Sequence, residues 1–327
     1  MAVTAMIDEL SVLKELKSRF TSCSDEVVIG IGDDCAAVKA GEVLTLYSSD
    51  TVVEGIHFST SYMTFREISK KAVSASVSDI AAMGGRPNYF LSTLGISKCT
   101  PQNLVDELLD GFEEAADEYG IELIGGNITT SEKLFIDITV IGEANQNKVV
   151  KRSGASAGDL LFVTGTLGDS AKGLELLRRG NKEREEYLEK RHTNPTARIN
   201  AGKLIGDLEI ASSMIDISDG FLIDLERVTV AYKKGADIFL EKLPLSKNYT
   251  DLINSDEDPF LLALSGGEDY ELLFTSHESN REKIKNLMDE LHLNISEIGV
   301  ITENKRIDLY GHDNKILKYG KKGFVHL

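Results

Sequence analysis

Apolar residues fall at helical spacing in the opening MAVTAMIDELSVLKELKSRF, where Leu10, Leu13 and Leu16 share a face and predict an amphipathic helix. EVLTLYSSDTVVEGIHF contains strand-like runs instead. TFREISKKAVSASVSDIAAMGG returns to the helical period. Thr64 and Glu67 form a capping-box pattern at its start, and Gly84, Gly85 and Pro87 stop it. QNLVDELLDGFEEAADEYG predicts a further helix, and ELIGGN and KLFIDITVIGEA predict strands. The polar, turn-rich NQNKVVKRSGASAGD then breaks the pattern, which places a domain boundary near residue 150 and gives domains 1–150 and 151–327. Beyond it, LLFVTG predicts a strand, DSAKGLELLRRG a helix, MIDISDG a strand end and FLIDLERVTVAYKKG a helix. LALSGGEDYELLFT predicts a strand pair around a Gly-Gly turn. A helix over residues 278–291 and the strand SEIGVIT lead to the tail GKKGFVHL. There is no repeat of solenoid period. Each half mixes strands and helices without strict βαβ alternation, which favours α+β over a doubly wound sheet.

The length of 327 residues suits two domains of roughly 150 residues each. An apolar content of 42% supplies their cores, and five Pro leave little room for long disordered tracts. Cys23, Cys35 and Cys99 lack CxxC spacing, so they are expected as reduced thiols of a cytoplasmic protein rather than a disulfide frame or zinc site. Asp8 and Glu9 stand where a signal peptide needs an apolar core, and no apolar run approaches the roughly 18 residues that span a bilayer. The expectation is a soluble protein with no membrane association. A formal charge of −17 argues against nucleic acid, whose phosphates require clustered Lys and Arg. The same charge opposes a phosphorylated ligand, since like charges about 4 Å apart repel by roughly 4 kcal/mol near a protein surface. Phosphates therefore need divalent cations between themselves and an acidic pocket.

The acidic positions are arranged to supply such cations. IGIGDDCAAV seats Asp33 and Asp34 together behind a Gly-rich approach, either as a solvated turn or as paired ligands. On the helix from Phe65, residues Arg66, Glu67, Lys70, Lys71, Ser74 and Ser78 gather on a polar arc, whereas Asp79 falls among Ile68, Ala72, Ala75, Ala82 and Met83. A carboxylate on an apolar face near a helix C-terminus must find a partner, shift its pKa or bind a cation, and a metal ligand is favoured. In DISDG, Asp216 and Ser218 alternate onto one face and Asp219 reaches an N-cap position. SSDTVVEGIHF adds Ser48, Ser49, Asp50 and His57. Acidic points beside small residues suit a hard cation with oxygen ligands, above all Mg²⁺. GTLGDSAK follows a strand and opens a helix like a phosphate-facing turn, without the GK[ST] of a P-loop. SGGED places Glu268 beside two glycines, as a ligand approach or a plain hairpin turn.

In order and spacing these motifs resemble the thiamine-monophosphate kinases of the aminoimidazole ribonucleotide synthetase-like superfamily. The resemblance runs through GIGDDCA, SSDTVVEGIHF, SVSDIAAMGG, ELIGGN, KRSGASAGD, VTGTLGDSAKG, DISDG, SGGEDYEL and GFVHL. It implies an N-terminal α/β domain whose strands pair across a homodimer, a C-terminal α+β domain, and an active site in the cleft between them. The implied reaction moves the γ-phosphoryl of ATP directly onto thiamine monophosphate, with Mg²⁺ and no general base. Carried over by motif, Asp34, Ser49, Asp50, Asp79 and Asp216 hold Mg²⁺, with Asn127 at a further ligand position. Ser48 and Asp219 complete metal or nucleotide contacts, Gly126 and Ser218 touch ATP, and Arg152 meets its phosphates. His57, Glu268 and Phe324 face the thiamine. Two departures stand out: GGN carries Asn127 where the family usually has Asp, and the tail reads GFVHL rather than an aromatic followed by Asp-His-Phe. Rival readings are another ATP-dependent synthetase of the superfamily, or a nucleotide- or thiamine-binding homologue without turnover.

Overall fold

The strand and helix periods resolve into two mixed sheets in the computed structural model, which describes residues 9–20, 24–180, 185–254, 256–313, 315–320 and 323–324. Cys23 and the last three residues of the tail lie outside the described residues. Helix α1 (Glu9–Arg19) leads into the first sheet. Its strands are β1 (Val27–Ile29), β2 (Ala36–Ala40), β3 (Val43–Val53), β4 (Arg86–Ile96), β5 (Glu122–Thr130) and β6 (Phe135–Asn145), ordered β1-β2-β3-β6-β4-β5. Helices α2 (Phe65–Ala82) and α3 (Gln102–Tyr119) separate these strands. Among the described strand pairs of this sheet, only β4–β5 is parallel, and α3 supplies its crossover.

Period-2 patterning decides what each face meets. Leu44, Leu46 and Val52 of β3, with Ile136, Ile138 and Val140 of β6, are buried beneath α2. Each such side chain contributes roughly 1.5–3 kcal/mol on leaving water. The alternate positions Ser49, Thr51, Asp137 and Thr139 hydrogen-bond to one another on the opposite face. The capping box forms as expected: the Thr64 side chain accepts from the Glu67 N–H, and the Glu67 carboxylate accepts from the Thr64 N–H. Edge strand β5 is exposed along its whole length.

The second sheet follows β7 (Leu160–Thr164), α4 (Asp169–Arg179), α5 (Glu186–Thr193), α6 (Ile199–Asp207), β8 (Ser213–Asp216), α7 (Phe221–Val228), β9 (Gly235–Phe239), α8 (Lys247–Thr250), α9 (Leu261–Ser265), β10 (Leu272–Ser276), α10 (Arg281–Leu291), β11 (Ile295–Thr302), β12 (Ile307–Tyr310) and β13 (Ile316–Leu317). Its order is β13-β12-β9-β11-β7-β10-β8. Strands β7, β8 and β10 are buried almost throughout because both faces are covered. Leu161, Val163, Ile215 and Leu273 fill one core, while Phe162, Met214, Leu272 and Phe274 fill another. That other core also contains Ala81 and Ala82 of α2 and Ile205 of α6, so it joins the two sheets. At the joint, an added Cβ on Gly202 would lie 2.1 Å from the Ala81 carbonyl oxygen, which shows how closely α6 sits on α2.

Several elements differ from the expectation. LALSGGEDYELLFT is not a strand pair: LLALS is helix α9, and only LLFTS is strand. The glycines pack instead of turning, since a Cβ at Gly266 or Gly267 would meet the Leu262 or Ser218 carbonyl oxygen at 2.4 and 2.6 Å. Helix α7 ends at Val228, followed by a 3₁₀ turn at Val230–Tyr232. There the Thr229 hydroxyl donates back to the Leu225 carbonyl at 2.6 Å. The polar arc of α2 is not wholly solvated, because Lys71 and Ser78 are buried against the second half of the chain and Ser74 accepts from the Tyr119 hydroxyl of α3 at 3.0 Å. Helices α5, α6 and α8 and strands β2, β4, β9, β12 and β13 had no prediction.

Gly111 of α3 faces α2, where an added Cβ would stand 2.1 Å from Ser69 Oγ and 2.3 Å from the Arg66 carbonyl oxygen. Gly111→Ala should therefore destabilise the protein by about 1–3 kcal/mol from overpacking, despite the better helix propensity of Ala. Urea unfolding measures this, and an unchanged midpoint would contradict the close α2–α3 contact.

Candidate active site

A cleft of about 690 Å³ opens between the sheets, and Asp34, Ser48, Asp50, Asp79, Asp216 and Glu268 are among its walls. Each acidic group arrives on a different element. Asp34 leaves the loop after β1, Ser48 and Asp50 project from β3 toward α2, Asp79 stands in the last turns of α2, and Asp216 ends β8. One carboxylate oxygen from each of Asp34, Asp79 and Asp216 lies within 4.8 Å of the others. At such separations each pair of charges repels by roughly 3–4 kcal/mol at an effective dielectric of about 20.

Few groups offset that repulsion. Arg152 Nη2 and Nε donate to Asp34 Oδ1 at 2.5 and 3.1 Å, and Ser78 donates to Asp216 Oδ2 at 2.6 Å. Ser48 donates to Asp79 Oδ2. Among the described residues, buried Asp34 Oδ2 has no hydrogen-bond partner. Burial, then Asp50, Asp216 and Asp34, push the Asp79 carboxyl well above its ordinary range. Burial followed by Asp34 does the same to Asp216, and burial also raises Asp50. The α2 C-terminus adds a further unfavourable field at Asp79. A set of crowded carboxylate oxygens, one unsatisfied, fits a hard divalent cation. Asp33 does not join them: its Oδ1 accepts from the Arg152 N–H at 3.1 Å, so the paired aspartates of GDD divide into a holder of Arg152 and a cleft residue.

The remaining expected residues fall into two groups. Ser218, Asp219, His57, Glu268 and Phe324 line the same cleft. Asp219 is paired with Arg227 at 2.6 Å, and its carbonyl accepts from the Phe324 N–H at 2.8 Å, which brings the tail to the site. Asp219 is not the N-cap of α7. Gly220 holds that position, and Asp224 Oδ2 accepts from the N–H groups of Ser218, Asp219 and Gly220, each at 3.1 Å. The turn at GTLGDSAK does not await a phosphate either, because Asp269 Oδ2 and Oδ1 accept from the N–H groups of Gly168 and Ser170 at 2.8 and 3.3 Å.

Gly126 and Asn127 are not brought to the carboxylates within this chain. They lie on exposed β5, where Asn127 shares a row with Thr93, Asp137 and Thr51. That row is on the opposite face of the sheet from Asp50, the face Ser49 also shares, although Ser49 does reach the cleft rim. Gly126 has a structural reason of its own: at φ +151° an added Cβ would stand 1.8 Å from the Ser92 carbonyl oxygen.

Sequence reasoning missed Lys71, His192, Asp224 and Arg227, all of which contact site residues. Periodicity placed Lys71 only on a polar arc, without a partner. A warning lay in its position, two turns before Asp79 and on the same helix. The segment KRHTNPTAR carried a second signal, since Arg191, His192 and Arg198 converge on the 268–271 loop.

The chain matches the family of AIR synthase related protein N-terminal domains over residues 32–144 and that of the C-terminal domains over residues 156–312. A thiamine-monophosphate kinase of Buchnera aphidicola is 36% identical over 305 residues, covering 91% of this chain and 92% of the relative. That of Bacillus subtilis is 33% identical, covering 98% and 99%. The solved structure of AaThiL complexed with AMPPCP and TMP superposes with a TM-score of 0.86 at 34% identity, covering 98% of this chain and 97% of that one.

Burial, reinforced by Lys71, pulls the His192 pKa from 6.5 down to about 3. The unfolded chain binds a proton that the folded chain refuses, so this group costs nothing above pH 6.5 and removes stability as pH falls toward 3. Between pH 6.5 and 5 the loss is about 2 kcal/mol. His192→Gln should flatten that part of the pH dependence in urea unfolding at pH 5, 6 and 7. An identical slope in both proteins would mean that His192 takes up its proton without unfolding.

Proposed function

The chain belongs to the thiamine-monophosphate kinases, and on that premise we propose that it transfers the γ-phosphoryl group of ATP to thiamine monophosphate, forming thiamine diphosphate. The observation that carries this reading is the convergence of Asp34, Asp79 and Asp216 within 4.8 Å in a cleft large enough for both substrates. These three, with Asp50 and Ser48 beside them, would hold Mg²⁺, which would supply charge neutralisation for the phosphates.

The chain's own groups do the positioning. Arg152 spends Nε and Nη2 on Asp34 and keeps its remaining N–H groups for phosphate oxygens at the same rim. Glu268 presents a carboxylate toward the cationic thiazolium, and Phe324 offers it an aromatic face. His57 is held with Nδ1 accepting from the Val53 N–H at 3.1 Å, which fixes the ring at the cleft wall. The accepting phosphate is already largely ionised near neutrality, so attack is direct and in line, and no side chain serves as a general base.

We place the domain division at 1–150 and 151–327, and the setting in the cytoplasm. Among the described residues, no helix is long and apolar enough to cross a membrane. A homodimer is part of the proposal, formed through the first sheet: edge strand β5 exposes Leu123, Ile124 and Ile128, the last at 70%. Gly126 and Asn127 lie on that surface, so their contact with ATP or metal belongs to the assembled dimer, whereas Ser49 reaches the cleft rim within one chain. Asn127 in GGN favours a second reading, in which the chain binds ATP and thiamine monophosphate without turnover.

A coupled ADP assay with Mg²⁺ separates the two readings. Thiamine monophosphate should stimulate ADP release, whereas thiamine and aminoimidazole precursors should not. Asp79→Asn keeps the shape and discards the charge, and should lower kcat by about 10²-fold or more while the fold persists; a near-normal rate with the same Mg²⁺ dependence would remove Asp79 from the metal site. Asn127→Asp should lower the Mg²⁺ concentration needed for half-maximal rate, and an unchanged requirement would place position 127 beyond metal contact. Ile128→Lys should yield monomers in sedimentation; an unaltered dimer would put the interface elsewhere.

A further inference from the structure

One cation is buried behind the cleft wall, on Glu268 and away from the three clustered aspartates. Lys71 projects from α2 two turns before Asp79, about 12 Å along the helix axis, and is 1% exposed. Its Nζ lies 2.8 Å from Glu268 Oε1 and donates to the His57 carbonyl at 3.2 Å. It also stands 3.4 Å from His192 Nε2. An ammonium only donates, so Nε2 is the acceptor and the neutral His192 ring carries its proton on Nδ1. That nitrogen faces Glu268 Oε2 at 3.4 Å and Ser170 Oγ at 3.2 Å.

Glu268 needs such support. Its backbone is in the left-handed region at φ +65°, which disfavours a side chain, and Tyr270 at φ +51° repeats the strain two residues later. The loop is tied down on its far side by Asp269 on the α4 N–H groups and by Glu271 on Arg191 and Arg198. On the cleft side, the carboxylate of Glu268 is gripped by Lys71 and His192, one oxygen each.

We infer that Lys71, seconded by His192, is a positioning residue for the thiamine end of the cleft, holding Glu268 and the His57 loop in the geometry that receives the thiazolium. This inference rests on the proposed thiamine monophosphate reading. Lys71 joins the two halves of the chain at this point, with Glu268 from one and His57 from the other. It acts through Glu268, so its effect appears in the binding of the thiamine substrate and not in that of ATP. Because Lys71 already matches the charge of Glu268, the carboxylate orients the incoming cation rather than capturing it by net charge, and the cleft selects by shape as well as by sign.

The test measures KM for thiamine monophosphate and for ATP in wild type, Lys71→Met, Lys71→Arg, Glu268→Gln and the double variant Lys71→Met with Glu268→Gln. Lys71→Met should raise KM for thiamine monophosphate roughly tenfold or more, with KM for ATP within about twofold, and Lys71→Arg should recover much of the loss. The double variant should be no worse than Glu268→Gln alone, and it carries the test if the single Met variant folds poorly, because it removes both charges together. Additive effects, or an unchanged thiamine KM in Lys71→Met where Glu268→Gln raises it, would overturn the inference. A crystal structure of Lys71→Met tests the geometry without any turnover. A displaced Glu268 carboxylate is expected, and one still in place beside His192 would refute the role. Absence of thiamine monophosphate turnover in the wild type would sink the functional reading alone, and the crystal result would still decide the positioning of Glu268.

Discussion

Crowded negative charge is the constraint on which this molecule turns. Three carboxylates with oxygens within 4.8 Å of one another, and Asp50 beside them, are offset by one guanidinium, that of Arg152. Such a cluster is costly in an empty protein and serviceable only where cations and phosphates complete it. The strain of the site and its chemistry thus have the same origin.

The polar contacts of the cleft also hold the two halves of the chain together. Arg152 reaches back to Asp34, Ser78 of α2 donates to Asp216 at the end of β8, and Lys71 of α2 pairs with Glu268. Beneath them, Ala81 and Ala82 of α2 pack into the same apolar core as Phe162 and Phe274 of the second sheet. Helix α2 is therefore wall and joint at once. Buried charge pairs of this kind favour one arrangement over its neighbours, because each alternative leaves a charge unpaired.

Three acids of the second half serve the framework rather than a ligand. Asp224 takes three N–H groups before α7, Asp269 takes two at the start of α4, and Glu271 binds both Arg191 and Arg198. Burial outweighs the nearby Arg227 and raises Asp224 to about 7, and burial raises Asp269 to about 8. These residues place Ser218, Asp219 and Glu268 without reaching the cleft themselves. In the chain, DISDG, LIDLE and GGEDYE look much alike, since each offers acids beside small or apolar residues.

Periodicity and capping chemistry alone determined β3, β6, α3 and α2 with its Thr64–Glu67 box, because these signals are local and repeat every two or 3.6 residues. The odd placement of Asp79 on an apolar helix face was legible for the same reason. Tertiary structure decided the rest. It made SGGED a loop after a short helix rather than a hairpin, since close packing against Ser218 and Leu262 leaves no room there for a side chain. It buried Lys71, which periodicity put on a polar arc, because the partner that covers it lies 197 positions further along the chain, at Glu268. It also kept Asn127 and Gly126 on an exposed edge, apart from the acids that the sequence motifs grouped with them. Local patterns report what a residue is beside, whereas charge pairing and packing depend on what the fold carries to it from elsewhere.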